Sequence, residues 1–166
     1  MIVSFSVLLY YGYDIYKKAP PIPDKVVSTD GTVLFTGQDI KDGQNVWQSI
    51  GGQELGTVWG HGSYVASDWS ADWFHREAVC LLDELSFREF SKTYDALDAE
   101  RKAMMDVRLQ KIIRTNTFDE VSKEIKVDSF RKAAIIAVSS HYKGLFMDDP
   151  QLNSLRNAYA IPVNTI

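Results

Sequence analysis

A 35-residue segment, Gly43 to Glu77, most constrains what this chain can fold into. It holds six of the ten glycines, all four tryptophans and two of the three histidines. A buried tryptophan needs a partner for its indole N–H, and glycine serves where the backbone turns at positive φ or closely approaches another group. We therefore expect the segment to form a surface shaped against a ligand or partner.

Length and charge narrow the class of protein. The 166 residues suffice for one domain with its own core, and 45% hydrophobic and 24% charged residues are ordinary for a globular protein. The net charge of −4 lacks the excess of basic residues typical of a nucleic-acid-binding protein. The single cysteine, Cys80, excludes an internal disulfide.

The N-terminus is apolar and uncharged from Met1 to Tyr13. This stretch is shorter than the roughly 20 residues that cross a bilayer, and it lacks the features of a signal peptide. Aromatic and basic residues typical of a membrane interface follow: Tyr10, Tyr11, Tyr13, Tyr16, Lys17 and Lys18. We interpret residues 1–18 as the outer part of a transmembrane helix; the alternative is a buried helix of a soluble domain.

Residues 19–166 read as one mainly α-helical domain with two small β-hairpins. Asp30-Gly31 between apolar runs predicts the first hairpin, and alternation around Ser122-Lys123 within 117–127 predicts the second. Residues 51–67 read as loop. Helical spacing and capping residues predict five helices: 37–50 capped by Thr36, a long one from Ser70, one over 93–115, one from Asp128 to 146 and a short one near Pro150. In the first, Ile40, Val46, Trp47 and Ile50 are expected on one apolar face, and in the third, Leu97, Met104, Met105, Leu109 and Ile112 are expected to point inward.

Three kinds of independent chemistry find little support in the sequence. His61, His75, His141 and Cys80 match no zinc-ligand spacing. Asp72 can contact His75 on one helix, but no nucleophile stands beside them. The glycine pairs follow a helix rather than a strand, which argues against a dinucleotide loop.

Three strings in the chain carry a family resemblance. APPIPDKVVSTDGTVLFTGQDIKDGQNVWQSIGG and WGHGSYVASDWSADWFHREA lie within residues 19–78, and DDPQLNSLRNAYAIPVNTI is residues 148–166. They resemble the hydrophilic region after the first membrane helix of bacterial quinol-dependent nitric oxide reductases. The resemblance implies a periplasmic domain with a cytochrome-c-like fold at 19–166.

The same resemblance implies that covalent haem is absent. In the related cytochrome subunit, V-W-Q precedes a C-x-x-C-H motif. Aligned from Val46-Trp47-Gln48, the two cysteines fall at Gly52 and Leu55 and the axial histidine at Gly56. Covalent haem needs those thiols and that imidazole. Electrons would then reach the enzyme directly from membrane quinol.

The resemblance also implies an interface with the membrane part of the same polypeptide. Gly62 and Tyr64 stand where backbone oxygens of the cytochrome subunit hold a calcium ion, and such oxygens suit this hard cation. The remaining calcium ligands lie outside this chain. The residues expected to dock on the membrane part are Trp59, His61, Tyr64, Trp69, Trp73 and Arg76.

The expected function is therefore that of a non-catalytic domain facing the periplasm at the inner membrane. It would cap an enzyme of denitrification that reduces 2 NO to N₂O with haem b, haem b₃, non-haem iron and calcium. Those cofactors would belong to the full enzyme. Two alternatives stay open: a free-standing soluble ligand-binding or sensor domain with a Trp-lined pocket, and a remnant gene product without a partner.

Overall fold

The computed structural model describes residues 1–18, 21–52, 56–57, 67–147, 149–159 and 161. Within these residues the fold is mainly helical, as predicted. The α-helices are α1 (Ile2–Lys18), α2 (Gly37–Ser49), α3 (Trp69–Phe90), α4 (Ala99–Arg114), α5 (Ser129–Phe146) and α6 (Asn153–Ala158). The strands are β1 (Lys25–Ser28), β2 (Val33–Thr36), β3 (Gly56–Thr57), β4 (Ser67–Asp68), β5 (Phe118–Asp119) and β6 (Glu124–Val127). Short 3₁₀ helices span Tyr94–Ala96 and Pro150–Leu152.

Both predicted hairpins form, and they join into one four-stranded sheet of order β2-β1-β6-β5. β1 pairs antiparallel with β2 around a turn in which Gly31 has a φ of +83°. β5 pairs antiparallel with β6, and the two hairpins meet where β1 runs parallel to β6. The sequence predicted the hairpins but not this parallel junction.

Side-chain caps set the starts of the main helices. At the start of α2, Thr36 and Asp39 form a reciprocal capping box. At the start of α5, the Asp128 carboxylate accepts a hydrogen bond from the backbone N–H of Arg131. Thr36 and Asp128 are the two caps that the sequence predicted. The predicted helix 93–115 is wrong at its start, because Asp98 caps a separate α4 after a 3₁₀ turn. α3 begins one residue earlier than predicted, since Asp68 caps it.

Two further details correct the sequence reading. The predicted loop 51–67 contains β3, which pairs in parallel with β4. Met104 is exposed while Met105 is fully buried, because neighbouring helical positions point in different directions. For the same reason Val46 of α2 faces outward beside the partly covered Trp47.

The core lies between α3 and α5, which pack along each other, and extends to the sheet on one side. Its buried side chains fall into three groups. They are Val26, Val127 and Ile135 against the sheet, Trp69, Leu145 and Ile161 near α6, and Leu85, Leu97 and Met105 near α4.

Helix α1 contributes nothing to that core. None of its residues is buried, although most are large and apolar. The alternative of a buried helix in a soluble domain is therefore wrong for residues 2–18. Among the described residues, no helix combines the length and the apolar character needed to cross a membrane.

Candidate functional site

The structure describes half of the site residues predicted from the sequence. Those described are Gly52, Gly56, Trp69, Trp73 and Arg76. Those outside the described residues are Leu55, Trp59, His61, Gly62 and Tyr64. The calcium carbonyls and the first part of the docking segment therefore stay predictions.

Gly52, aligned with the first haem cysteine, lies directly under an indole ring. A Cβ built on this buried glycine would lie 2.2 Å from Cδ2 and 2.4 Å from Cε2 of Trp47. Non-bonded carbons need about 3.5 Å, so any side chain at position 52 requires Trp47 to move. Gly56, aligned with the axial histidine, is buried in β3. Neither glycine offers the thiol or the imidazole that a covalent haem uses.

Trp69 is the centre of an aromatic cluster. Its ring centroid lies 6.2 Å from that of Trp47, 6.1 Å from Tyr142, 5.7 Å from Phe146 and 5.5 Å from Tyr159. These distances and the mostly edge-to-face angles are favourable for aromatic pairs. Trp69 is only 8% exposed. The structure thus places this predicted docking residue in the interior of the domain.

An almost wholly apolar pocket of about 170 Å³ opens beside this cluster. Its walls are Trp47, Trp69, Trp73, Tyr142 and Phe146. The buried Nε1 of Trp69 has no hydrogen-bond partner among the described residues. This aromatic pocket is open on one side and presents apolar ring faces to a small apolar molecule.

Asp72 joins α3 to α5 at the edge of the aromatic pocket. Its carboxylate accepts from Arg76 Nε and from the Tyr142 hydroxyl, each at 2.7 Å. Burial alone would raise the pKa of Asp72, but the hydrogen bonds from Arg76 and Tyr142 outweigh it and hold this pKa below its usual value. Burial and the bond to Asp72 raise the pKa of Tyr142. The predicted partner of Asp72 was His75, and the structure corrects this to Arg76 and Tyr142.

Trp73 is held by a second carboxylate, that of the buried Glu77. Its ring stacks on Tyr142 with centroids 5.5 Å apart, and its Nε1 donates to Glu77 at 3.0 Å. Glu77, 2% exposed, also accepts from Arg131 Nε at 2.7 Å. Sequence reasoning missed this anchor, although four-residue spacing on a helix signals the Trp73–Glu77 pair.

The candidate zinc ligands do not form a centre. In the part of the chain that the structure describes, no three His, Cys, Asp or Glu side chains are arranged to hold a metal ion. His61 lies outside that part.

The fold agrees with a comparison against known families. Residues 23–166 match the family described as the cytochrome c-like domain of the nitric oxide reductase NorB. Because the match spans most of the chain, the chain belongs to this family of cytochrome c-like domains. No curated protein matches the sequence.

Proposed function

We propose that this chain is a haem-free, non-catalytic periplasmic domain of a quinol-dependent nitric oxide reductase. It caps and stabilises the haem-bearing membrane part of the enzyme. Family membership supports the link to nitric oxide reductase. The observation that carries the haem-free assignment is the contact between Trp47 and Gly52 at the position aligned with a haem cysteine.

The chemistry of haem attachment supports the same proposal. Covalent haem c requires two thiols and an axial histidine in a C-x-x-C-H motif. The sequence has one cysteine, Cys80, and no such motif. The indole of Trp47 covers Gly52, and the ring of Trp69 packs against it. These aromatic contacts support the haem-free proposal, because the indole occupies the space that a side chain at position 52 would need.

The electron path follows from the missing haem. Without haem c, electrons pass from quinol to the membrane part directly, and haem b, haem b₃ and non-haem iron belong to that part. Gly62 and Tyr64 are proposed to offer backbone oxygens to a calcium ion at the interface. Helix α1, apolar and without a buried residue, is proposed to continue into the bilayer.

The absorption spectrum of the purified domain tests the haem-free assignment. We expect no Soret band at stoichiometric intensity after expression with a cytochrome c maturation system. The full enzyme, purified in parallel, should show its haem b bands and serves as the positive control. A stoichiometric Soret band in the isolated domain would contradict the assignment.

The aromatic pocket favours a second candidate, a free-standing ligand-binding or sensor domain. Its Trp walls would report ligand entry as a change in tryptophan fluorescence. Saturable binding of benzene to the isolated domain, with unchanged behaviour in the presence of the membrane part, would favour this candidate over a capping role.

A further inference from the structure

A second pocket, of about 270 Å³, lies between α3 and α5. It brings together His75 and Arg76 from α3 and His141 from α5. The rest of this α3–α5 pocket is lined by Val79, Cys80, Ala137 and Val138. Neither the family description nor the proposed function assigns a role to it.

Arg76 uses only part of its hydrogen-bonding capacity. Its Nε donates to Asp72, while its two terminal nitrogens have no partner among the described residues. The side chain is 28% exposed. A guanidinium offers five N–H donors in a planar fork that matches a carboxylate. The unused edge of Arg76 is thus suited to a second anion besides Asp72.

His141 lines the same pocket and has one ring nitrogen without a partner among the described residues. Its Nε2 is buried and has no hydrogen-bond partner among the described residues, which is uncommon for a buried polar atom. Burial and then the positive charge of Arg76 lower the pKa of His141, and the Asp72 carboxylate opposes them. The neutral ring therefore prevails at neutral pH.

Other titratable groups surround this ring. They are His75 and Cys80 in the wall contributed by α3, the adjacent Tyr142 on α5, and, beyond Tyr142, Tyr159 at the C-terminal cap of α6. Asp72 and Arg76 already neutralise each other. An added anion would therefore leave the pocket with a net negative charge unless a proton enters with it.

We infer that the α3–α5 pocket binds a carboxylate group, held by the terminal nitrogens of Arg76 and by a protonated His141. One anion and one proton enter together, so the net charge of the pocket is unchanged. A protonated imidazole donates from both nitrogens, and a turn of the His141 ring about its Cβ–Cγ bond brings Nε2, buried in the unliganded domain, to the carboxylate. The inference does not depend on the haem-free assignment.

This arrangement predicts proton-linked binding. Above the pKa of His141, the affinity for a carboxylate should rise about tenfold for each unit by which the pH falls. Reciprocally, bound carboxylate should raise the pKa of His141. Both effects follow from the same linkage.

Acetate is the probe, and the ring resonances of His141 in the 166-residue chain are the readout. Acetate is titrated against chloride at matched ionic strength, at several pH values. We expect saturable shifts of His141, a raised His141 pKa and tighter binding at lower pH. Equal responses to acetate and chloride, or no saturable shift, would overturn the inference.

Two substitutions separate a specific site from a general charge effect. Arg76→Lys keeps the charge but removes the planar fork, and should weaken acetate binding about tenfold, as expected for one lost charged hydrogen bond. Arg88→Lys is the matched control, since Arg88 forms a similar ion pair with Glu84 on the same helix but does not line the pocket. His141→Gln should remove the pH dependence of the affinity. Equal affinities in the Arg76 and Arg88 variants would also overturn the inference.

The source of the carboxylate is decided in the full enzyme. If a free ion is the ligand, acetate should shift His141 in both the isolated domain and the full enzyme. If a carboxylate side chain of the membrane part fills the pocket, acetate should act only on the isolated domain. Either result supports the site and assigns its ligand.

Discussion

Gly52 shows how one residue without a side chain can define a packing arrangement. Substitution Gly52→Ala would place Cβ 2.2 Å from Cδ2 of Trp47, so the indole must shift. We expect a loss of about 1–3 kcal/mol in the free energy of unfolding, the usual cost of overpacking. Urea denaturation followed by tryptophan fluorescence measures it.

Gly43 provides the matched control for this substitution. It lies in α2, and a Cβ at this position would meet nothing within 4 Å. Gly43→Ala should therefore leave stability unchanged or raise it by about 0.5–1 kcal/mol, because alanine favours a helix interior. A Gly52→Ala variant as stable as Gly43→Ala would show that Trp47 is free to move away from Gly52.

Glu77 carries a buried charge, and we expect its loss to lower the free energy of unfolding. Glu77→Gln removes the negative partner of Arg131 while the volume stays nearly the same. Breaking a buried ion pair in this way should cost about 3 kcal/mol. Glu84→Gln, which breaks the exposed pair with Arg88 on the same helix, should cost about 0–1 kcal/mol. If both variants lose the same free energy of unfolding in chemical denaturation, the Glu77–Arg131 pair contributes no more to stability than an exposed ion pair.

At the scale of elements, α1 should be separable from the rest of the fold. Deletion of residues 1–18 removes a helix without a buried residue, so no core contact is lost. The melting temperature of the remaining domain should change by less than about 2 °C, while partitioning into detergent micelles should fall. A drop of several degrees would show that α1 stabilises the domain directly.

The elements differ in how far sequence alone could predict them. The Asp30-Gly31 turn and the Thr36 and Asp128 caps depend on neighbouring residues, and they appear where predicted. The parallel pairing of β1 with β6 joins segments about 100 residues apart, for which local pattern carries no signal. The same limit hid the contacts of Tyr142 with Trp69 and Asp72. A Trp-lined pocket was predicted only as part of the alternative function, and local spacing carried no signal that Tyr142 and Phe146 of α5 complete its walls.

At the scale of the whole molecule, two groups should make stability fall with acid in two steps. The folded-state pKa of His141 is lowered by burial and by Arg76. The unfolded chain therefore binds more protons, and stability falls as the pH drops below about 6.5. The folded-state pKa of Asp72 is also lowered. Its burial raises this pKa, but the hydrogen bonds from Arg76 and Tyr142 lower it by more. Its contribution is present above about pH 4 and is lost as the pH falls further.

Removing one of these groups tests the assignment. His141→Gln should flatten the first step and leave the second, as measured by urea denaturation in carboxylate-free buffers. His75→Gln, at an exposed position of the same pocket, is the control and should keep both steps. An unchanged first step in the His141 variant would assign it to another group.

Assembly with the membrane part provides the last test of the molecule as a whole. Trp73 and Arg76 lie on α3 close to Tyr142 and Asp72, so the C-terminal end of the predicted docking segment is rigidly held by the core. Aromatic residues and arginine are enriched at interface hot spots.

In the full enzyme, Tyr64→Ala should therefore weaken assembly and lower haem retention, calcium content and turnover. Lys123→Ala, at the exposed turn between β5 and β6, should change none of these. A fully assembled Tyr64→Ala enzyme with normal activity and calcium content would remove Tyr64 from the docking surface.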